Sequence, residues 1–427
     1  MAFMDAFASI VGTLMQESLR DHIRVQSMED HQTLVLKDAS LVSMIAVPGA
    51  LRMMDDDDVE DMVEQLRITL SPYLSQPGHV LDFTFIRDAA TAQEDIDRLV
   101  SRTGRNARAL GVDIDDILDE RRRVLKGYMV AETLLLSVFT RPDVLSREEM
   151  QEARGAQKKA IAGIPVMVDA HGVGIVMESV FIKHKSVVEA VNAALRKVGQ
   201  ISAILDIEIM LQEMRAALYP DTASERRAWS PRLPRWAQRG ENKSRGPFVM
   251  MPETDSQMSG VDAGHLFEPG FDLQLATEDA VIENSRAVRI GNRIFSSFDM
   301  TLAPETLPRF NDLVSDVTAR NRNTPWRASL RIEAGGLHSQ ALKKTFLAIF
   351  AFSAPTGNKR ILNAIEDLRE IDGQIDTVVR FRMSFSTWSS NRDTLRQNYQ
   401  TLLGAVERWG NSRADGISGD RRSEERR

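Results

Sequence analysis

An abrupt change of composition in the middle of the chain limits the possible folds most. Residues 219–270 contain six prolines, several serines and glycines, and little hydrophobic periodicity, whereas periodic apolar segments lie on both sides. A structureless loop of about 50 residues is anomalous inside one compact domain. The sequence therefore predicts two folded units joined by a long irregular linker or extended arm.

Short strands and amphipathic helices follow one another in the half of the chain before this segment. Apolar runs separated by polar turns predict strands at residues 33–36, 41–47, 80–86 and 128–140. Helical spacing of apolar residues predicts helices at residues 55–70, 91–126, 146–162 and 186–217. Ser146 and Glu149 have the spacing of a capping box, and Pro72 is expected to end the first of these helices.

The half of the chain after the linker shows the same mixed pattern. Apolar residues on both sides of Gly291-Asn292 predict a β-hairpin within residues 286–298. Further strands are predicted at residues 326–332 and 377–385, and helices at 310–319, 342–352, 359–370 and 391–409. The expected fold class is α+β, with two mixed α/β units of short strands and amphipathic helices.

Five regions follow from these patterns. They are an amphipathic N-terminal helix (1–20), a first α+β domain (21–218), a basic Pro-rich linker or arm (219–284), a second α+β domain (285–410) and a disordered polar tail (411–427).

The composition excludes several classes of protein. The 427 residues include no cysteine, so disulfide scaffolds, thiolate zinc sites, iron–sulfur ligation and cysteine nucleophiles are excluded. A net charge of −7 gives the whole chain no attraction to nucleic acid or anionic membranes, so such a role needs a local patch. No apolar run approaches the roughly 20 residues that span a bilayer. Asp5 stands where a signal peptide carries Lys or Arg, so a cytoplasmic protein is expected.

No motif in the sequence identifies an active site. Residues 354–360 (APTGNKR) resemble a phosphate loop, but the first glycine and the final hydroxyl are missing. Residues 171–174 (HGVG) lack the third glycine of a dinucleotide fingerprint and are interpreted as a hairpin turn. The seven histidines are too far apart in the sequence to suggest a metal site. The sequence thus predicts no catalytic, cofactor-binding or metal-binding residue.

Two acidic clusters are open to two interpretations. Residues 55–61 and 113–120 are rich in Asp and Glu, whose carboxylates can bind Ca²⁺ or Mg²⁺. The spacing of residues 55–61 matches no EF-hand loop, and they stand at a predicted helix start, where the helix dipole favours acidic residues. Residues 113–120 admit the same interpretation on a solvated helix. Helix capping is the preferred interpretation, and a metal-dependent enzyme is the alternative.

Two segments have the features of interaction surfaces. One apolar stripe of the first helix includes Phe3, Phe7, Ile10 and Leu14, and it either packs on the protein's own core or docks to a partner. The linker is basic between residues 226 and 245 and contains Trp229, Arg235 and Trp236. These residues suit a plain tether, a partner-docking arm or stacking on single-stranded nucleic acid, which makes a nucleic-acid-binding accessory protein a further alternative.

Four segments, in this order and spacing, resemble one protein family. They are LVLKDASLVSMIAVPG (34–49), DERRRVLKGYMVAETLLLSVFTRP (119–142), TPWRASLRI (324–332) and VVRFRMSFSTW (378–388). Together they resemble the N-terminal region of the large cytoplasmic ATPase of type IV secretion and conjugation systems. The most similar branch is the Dot/Icm and IncI-plasmid type (IcmB/DotO-like), and the resemblance spans roughly residues 25–409.

The resemblance implies a docking module. In that family this region precedes a motor domain with nucleotide-binding motifs, which this sequence lacks, so ATP and Mg²⁺ are implied only for the motor. The chain is therefore expected to be a fragment, a truncated reading frame or a split subunit. Implied partners are the inner-membrane complex and coupling or assembly ATPases, with a homo-oligomeric full-length protein at the inner face of the cytoplasmic membrane. The expected contact residues are Phe3, Phe7, Ile10, Leu14, Trp229, Arg235 and Trp236.

Overall fold

One antiparallel sheet of twelve strands organises the described part of the chain. The computed structural model describes residues 18–52, 55–75, 77–89, 91–161, 177–220, 229–233, 269–284, 286–304, 308–333 and 379–416. The strands are β1 (Val25–Asp30), β2 (Thr33–Leu36), β3 (Leu41–Ala50), β4 (His79–Asp88), β5 (Ala131–Thr140), β6 (Gln200–Ile204), β7 (Val281–Asn284), β8 (Ala287–Ile290), β9 (Arg293–Leu302), β10 (Trp326–Glu333), β11 (Arg380–Ser389) and β12 (Arg413–Gly416). Their order is β1-β2-β3-β5-β4-β10-β11-β9-β8-β7, with β6 paired to β3 and β12 paired to β9.

Ten α-helices accompany the sheet within the same ranges. They are α1 (Leu19–His22), α2 (Asp56–Leu74), α3 (Ala92–Ala109), α4 (Asp115–Tyr128), α5 (Arg147–Ile161), α6 (Glu178–Lys197), α7 (Ile207–Leu218), α8 (Phe271–Leu275), α9 (Phe310–Arg320) and α10 (Arg392–Arg408). The predicted mixed α+β class is confirmed.

Helices α2, α6, α9 and α10 lie on one face of the sheet, which we name the helical face. Most of the alternate strand residues that point to this face are apolar, and the polar exceptions include Ser43 and Thr140. Ile45 of β3 packs in one cluster with Val191 of α6. Phe385 of β11 packs in another cluster with Val317 of α9 and Leu402 of α10. Burial of these residues stabilises the sheet by roughly 25 cal/mol for each Å² of apolar surface removed from water.

Helices α7 and α8 cover the opposite face at the β1–β3 end. Val42 and Met44 of β3 pack there against Met210 of α7 and Phe271 of α8. The opposite face has a different character on β4, β10, β11 and β9, where serines, threonine, aspartates and arginines occupy the alternate positions. We name that part the polar face.

The two predicted units share the sheet. β4 of the first half pairs along its length with β10 of the second half, with Phe85 opposite Ala328. The ring of Phe85 lies 5.2 Å from the ring of Trp326 and 5.2 Å from that of Phe310. The prediction of two separate α+β units missed this long-range pairing, which joins them through backbone hydrogen bonds and a common core.

The range predicted as an irregular linker, 219–284, contains folded structure at its end. Helix α8 and strand β7 both lie in it, and Phe271 and Leu275 are at most 1% exposed. Asp272 is buried and forms ion pairs with Arg20 at 2.8 Å and Lys37 at 2.9 Å. Apolar burial and these ion pairs hold α8 against the start of the first half, which local composition did not predict.

Other boundaries also differ from the prediction. The tail predicted to be disordered from residue 411 contains β12, which pairs with β9. Helix α2 continues through Pro72 to Leu74 because the surrounding helix and its packing outweigh one lost hydrogen bond. Strands β1 and β6 were not predicted. Residues 1–17 of the predicted N-terminal helix (1–20), the turn at 171–174 and the helices within 342–370 lie outside the described residues; Ser18 is extended and precedes α1.

Candidate interaction surface

Of the residues predicted to contact partners, Trp229 lies in the described part of the chain. Its side chain is half-buried and packs beside the cluster that α7 and α8 form with β1–β3. The guanidinium of Arg215 lies 4.8 Å from the centre of its ring, and Gln212 Nε2 donates a hydrogen bond to its carbonyl oxygen at 3.1 Å. The ring is thus held against the protein's own core. Phe3, Phe7, Ile10, Leu14, Arg235 and Trp236 lie outside the described residues.

A helical hairpin made of α3 and α4 connects β4 to β5. The two helices pack chiefly on each other and bury Ile96, Val100 and Leu118 between them. Gly111 has a φ of +71° in the turn that joins them, a conformation that favours glycine. Helix α3 has 18 residues, so the turn lies roughly 27 Å from the start of that helix. The hairpin therefore has a small core of its own and a distant tip.

Large apolar side chains are exposed at this tip and along α4. Leu110 is 80% exposed, Val112 is 51% exposed and Ile117 is 61% exposed. We name these three residues the apolar tip. Val124 and Tyr128 are also exposed and follow Ile117 at i+7 and i+11, so they continue one stripe along α4. These exposed apolar side chains make the hairpin a candidate interaction surface.

The base of the hairpin is fixed to the second half of the chain. Arg322 Nη1 donates a hydrogen bond to the carbonyl oxygen of Gly127 at 2.8 Å. The same guanidinium lies 5.7 Å from the centre of the Tyr128 ring. This double contact restrains the direction of α4 relative to the loop before β10.

The acidic clusters lie at the starts of helices α2 and α4. Asp55 and Asp58 form a reciprocal capping box at the start of α2, with hydrogen bonds of 2.9 and 3.3 Å. Asp113 Oδ1 accepts a hydrogen bond from the backbone N–H of Asp115 at 3.1 Å before α4. Within the described residues, no group of three or more metal-ligating side chains converges. The preferred interpretation as a helix cap is confirmed for Asp55 and Asp58, whereas the N-cap residue of α4 is Ile114 and its side chain makes no capping hydrogen bond; Asp115 and Asp116 lie in the first turn.

A buried polar network connects the sheet to α6, and sequence analysis did not find it. Ser43 Oγ lies 3.0 Å from His184 Nε2, and Thr140 Oγ1 lies 2.9 Å from His184 Nδ1. His79 Nδ1 lies 3.2 Å from the same hydroxyl. A Ser–His contact of this length also occurs in nucleophilic enzymes. Here Ser43 and His184 are both 0% exposed, so no substrate can reach them in this conformation.

Burial controls the charge of this network. It lowers the pKa of His184 to about 3 and that of His79 to about 4, because an imidazolium would lose its hydration. The positive charges of Lys185 and Lys183 act in the same direction, and Asp30 opposes them at His184. Both imidazoles are therefore neutral at pH 7, and the network serves as an uncharged structural link.

In the described ranges, no helix combines the length and the apolar character needed to cross a membrane. Comparison of the sequence with models of protein families and with curated proteins gives no match.

Proposed function

We propose that this chain is a non-catalytic docking and scaffold region of a type IV secretion or conjugative transfer ATPase. The observation that carries the proposal is the exposed apolar tip of the α3–α4 hairpin. Its three side chains are each more than half exposed although the hairpin buries a core of its own. An apolar surface on a rigid projection is suited to insertion between other subunits.

The surroundings of the apolar tip favour a protein partner. Asp115, Asp116 and Asp119 lie at the start of α4 and supply a polar border next to the apolar side chains. An apolar centre with a polar border is the usual arrangement of a protein–protein interface. The stripe formed by Ile117, Val124 and Tyr128 extends the contact along one side of α4.

The family assignment rests on the sequence resemblance. It supports partners in the inner-membrane complex and among coupling or assembly ATPases, and a peripheral location at the cytoplasmic face of that membrane. The function of the chain is then to attach a motor to the channel and to neighbouring copies during substrate transfer. ATP and Mg²⁺ belong to the motor in this proposal.

Replacement of the tip tests the docking function. We expect Val112→Asp combined with Leu110→Asp to lower recovery of the chain with the inner-membrane complex by about tenfold or more, because apolar anchors dominate interface affinity. Both side chains are exposed, so the unfolding temperature is expected to change little. Affinity capture of the full chain from cells that contain the secretion complex provides the measurement.

Val281→Asp is the matched control for this experiment. Val281 is 51% exposed, as Val112 is, and it lies on β7 at the far end of the sheet. Unchanged recovery of the tip variant, or equal loss in the Val281→Asp control, would contradict docking through the tip. Stabilisation of the isolated chain by ATP would contradict its non-catalytic character.

A further inference from the structure

Polar side chains form rows across four neighbouring strands on the polar face. The register aligns one row of Thr84, Ser329, Ser384 and Asp299 on β4, β10, β11 and β9. The next row consists of Arg327, Ser386 and Ser297 on β10, β11 and β9, with the apolar Ile86 at its end on β4. Residues that are directly opposite in neighbouring strands, or two apart in one strand, share a face. Hydroxyl groups and one arginine are therefore concentrated where the two halves of the chain meet.

These two rows form a pocket of about 240 Å³. Its polar lining consists of Thr84, Ser297, Ser329, Ser384, Ser386 and Arg327. A water molecule occupies about 30 Å³ of liquid, and pockets for drug-sized molecules begin at about 300 Å³. The volume therefore suits a small ion or a small polar group.

Arg327 brings an uncompensated positive charge to this pocket. Its Nη2 donates a hydrogen bond to the carbonyl oxygen of Ala217 at 2.9 Å, and its guanidinium lies 5.8 Å from the Trp388 ring. Its Nε is buried and has no hydrogen-bond partner among the residues that the structure describes. Among the described residues, no carboxylate forms an ion pair with it. Burial lowers the pKa of Arg327 to about 10, so the group still carries its charge at pH 7.

The two carboxylates nearest in these rows already have partners. Asp82 Oδ1 accepts hydrogen bonds from Ser329 at 2.5 Å and from Thr84 at 3.3 Å. Asp299 Oδ2 forms an ion pair with Arg382 at 2.6 Å. Asp82 is hydrogen-bonded by two hydroxyls, and Asp299 is ion-paired with Arg382 through Oδ2, while its buried Oδ1 has no hydrogen-bond partner among the described residues. A buried charge without a counter-ion is unfavourable, so Arg327 is ready for an external anion.

Three hydroxyls complete the set of donors. Ser297 on β9 and Ser386 on β11 lie in the row that contains Arg327, and Ser384 on β11 lies in the neighbouring row. In the part of the chain that the structure describes, no hydrogen bond ties these hydroxyls to another residue. They can therefore all donate to a ligand that also contacts Arg327.

We propose that this pocket binds a tetrahedral oxyanion of the phosphate type, either free phosphate or the phosphoryl group of a small metabolite. The guanidinium supplies the charge, and the three serines supply O–H donors from two strands. Charge-assisted hydrogen bonds of this kind are the strong ones. The donors lie on three strands and can reach oxygen atoms that point in different directions, as those of a tetrahedral phosphate do. A planar carboxylate, in contrast, can be bound by the guanidinium group alone. The site is independent of the apolar tip, and binding there would stabilise the junction of the two halves.

Thermal unfolding of the full chain with sodium phosphate, at constant ionic strength set with sodium chloride, tests this proposal. We expect phosphate to raise the unfolding temperature of the wild type and of Arg331→Gln, and to leave Arg327→Gln unaffected. Arg331 is a matched control because it lies on the same strand and face but stacks on Phe139 at 5.6 Å. We expect Ser384→Ala with Ser386→Ala to weaken phosphate binding by about tenfold, because both substitutions remove donors to a charged group.

Three results would overturn the proposal. They are an unaffected wild type, an equal phosphate response in Arg327→Gln, and equal stabilisation by sodium acetate. If Arg327→Gln does not fold, the variant with Ser384→Ala and Ser386→Ala is tested instead. An unchanged affinity of that variant for phosphate overturns the proposal. Glycerol phosphate distinguishes the two possible ligands. If it binds more tightly than free phosphate, the ligand is a phosphoryl metabolite; if it binds more weakly, the ligand is free phosphate.

Discussion

At pH 5 we expect the folded chain to be about 4 kcal/mol less stable than at pH 7.5. The pKa of His184 is lowered to about 3 and that of His79 to about 4 in the folded state, from an ordinary value of 6.5. At pH values between the folded-state pKa values and 6.5, the unfolded chain binds protons that the folded chain does not. Acidification therefore favours unfolding. Each histidine contributes about 2 kcal/mol over this range, and the contribution is fully lost only below the folded pKa values. Urea unfolding at the two pH values measures the difference.

His184→Gln isolates one half of this effect. Gln cannot titrate, so we expect the loss of stability between pH 7.5 and pH 5 to fall to about 2 kcal/mol. The variant is expected to be less stable at pH 7.5, because Ser43 and Thr140 lose their ring partner. His22→Gln is the control for replacement of a histidine, because that side chain is exposed. An unchanged pH dependence in His184→Gln would show that the network is solvated.

Replacement of Trp326 by alanine is expected to destabilise the chain by about 3–5 kcal/mol. Its side chain is 0% exposed and its ring contacts Phe85 at 5.2 Å and Phe310 at 6.1 Å. Because Phe85 belongs to the first half, we expect β4 and β10 to lose amide hydrogen-exchange protection together. Chemical unfolding and hydrogen exchange followed on peptides of both strands provide the measurements.

Phe381→Ala is the control for Trp326. Phe381 lies on the same face of the neighbouring strand but is 57% exposed, so its loss is expected to destabilise the chain by less than about 1 kcal/mol. Loss of protection in β10 with β4 unchanged would argue against a shared core. Equal destabilisation by the two substitutions would argue against the burial of Trp326.

Local sequence signals predicted many individual elements correctly. The hairpin about Gly291 is formed by β8 and β9, and the capping box of Ser146 and Glu149 has both of its hydrogen bonds. Strand β1 was missed because Ser27 is buried beside Met28, so the segment lacks polar–apolar alternation. Strand β6 was absorbed into a helical pattern that continues on both sides of it.

Long-range pairing could not be predicted from these signals. Asp82 and Ser329 contact each other across 247 residues of chain, and no motif near either residue indicates the other. The same applies to Ser43 and His184, which are 141 residues apart. The order of the strands depends on which strand faces are buried against each other. That depends on residues far apart in the sequence, so no local motif reveals it.

The candidate interaction surface was only partly predictable. Ile117 and Val124 were in the predicted helix, whereas Tyr128 was assigned to the following strand, and the exposure of all three depends on which side of α4 packs on α3. Trp229 was predicted as a contact residue from its basic surroundings, and the structure places its ring beneath Arg215. A partner role for Trp229 stays a prediction, as do those of the residues outside the described ranges.

Photo-crosslinking from the apolar tip tests the docking function most directly. A photoreactive amino acid at Val112 of the full chain, in cells that contain the secretion complex, is compared with the same amino acid at Val281, which is equally exposed. We expect a crosslink from residue 112 to a subunit of the inner-membrane complex and none from residue 281. The absence of a crosslink from residue 112, or the same products from both positions, would contradict docking through the hairpin.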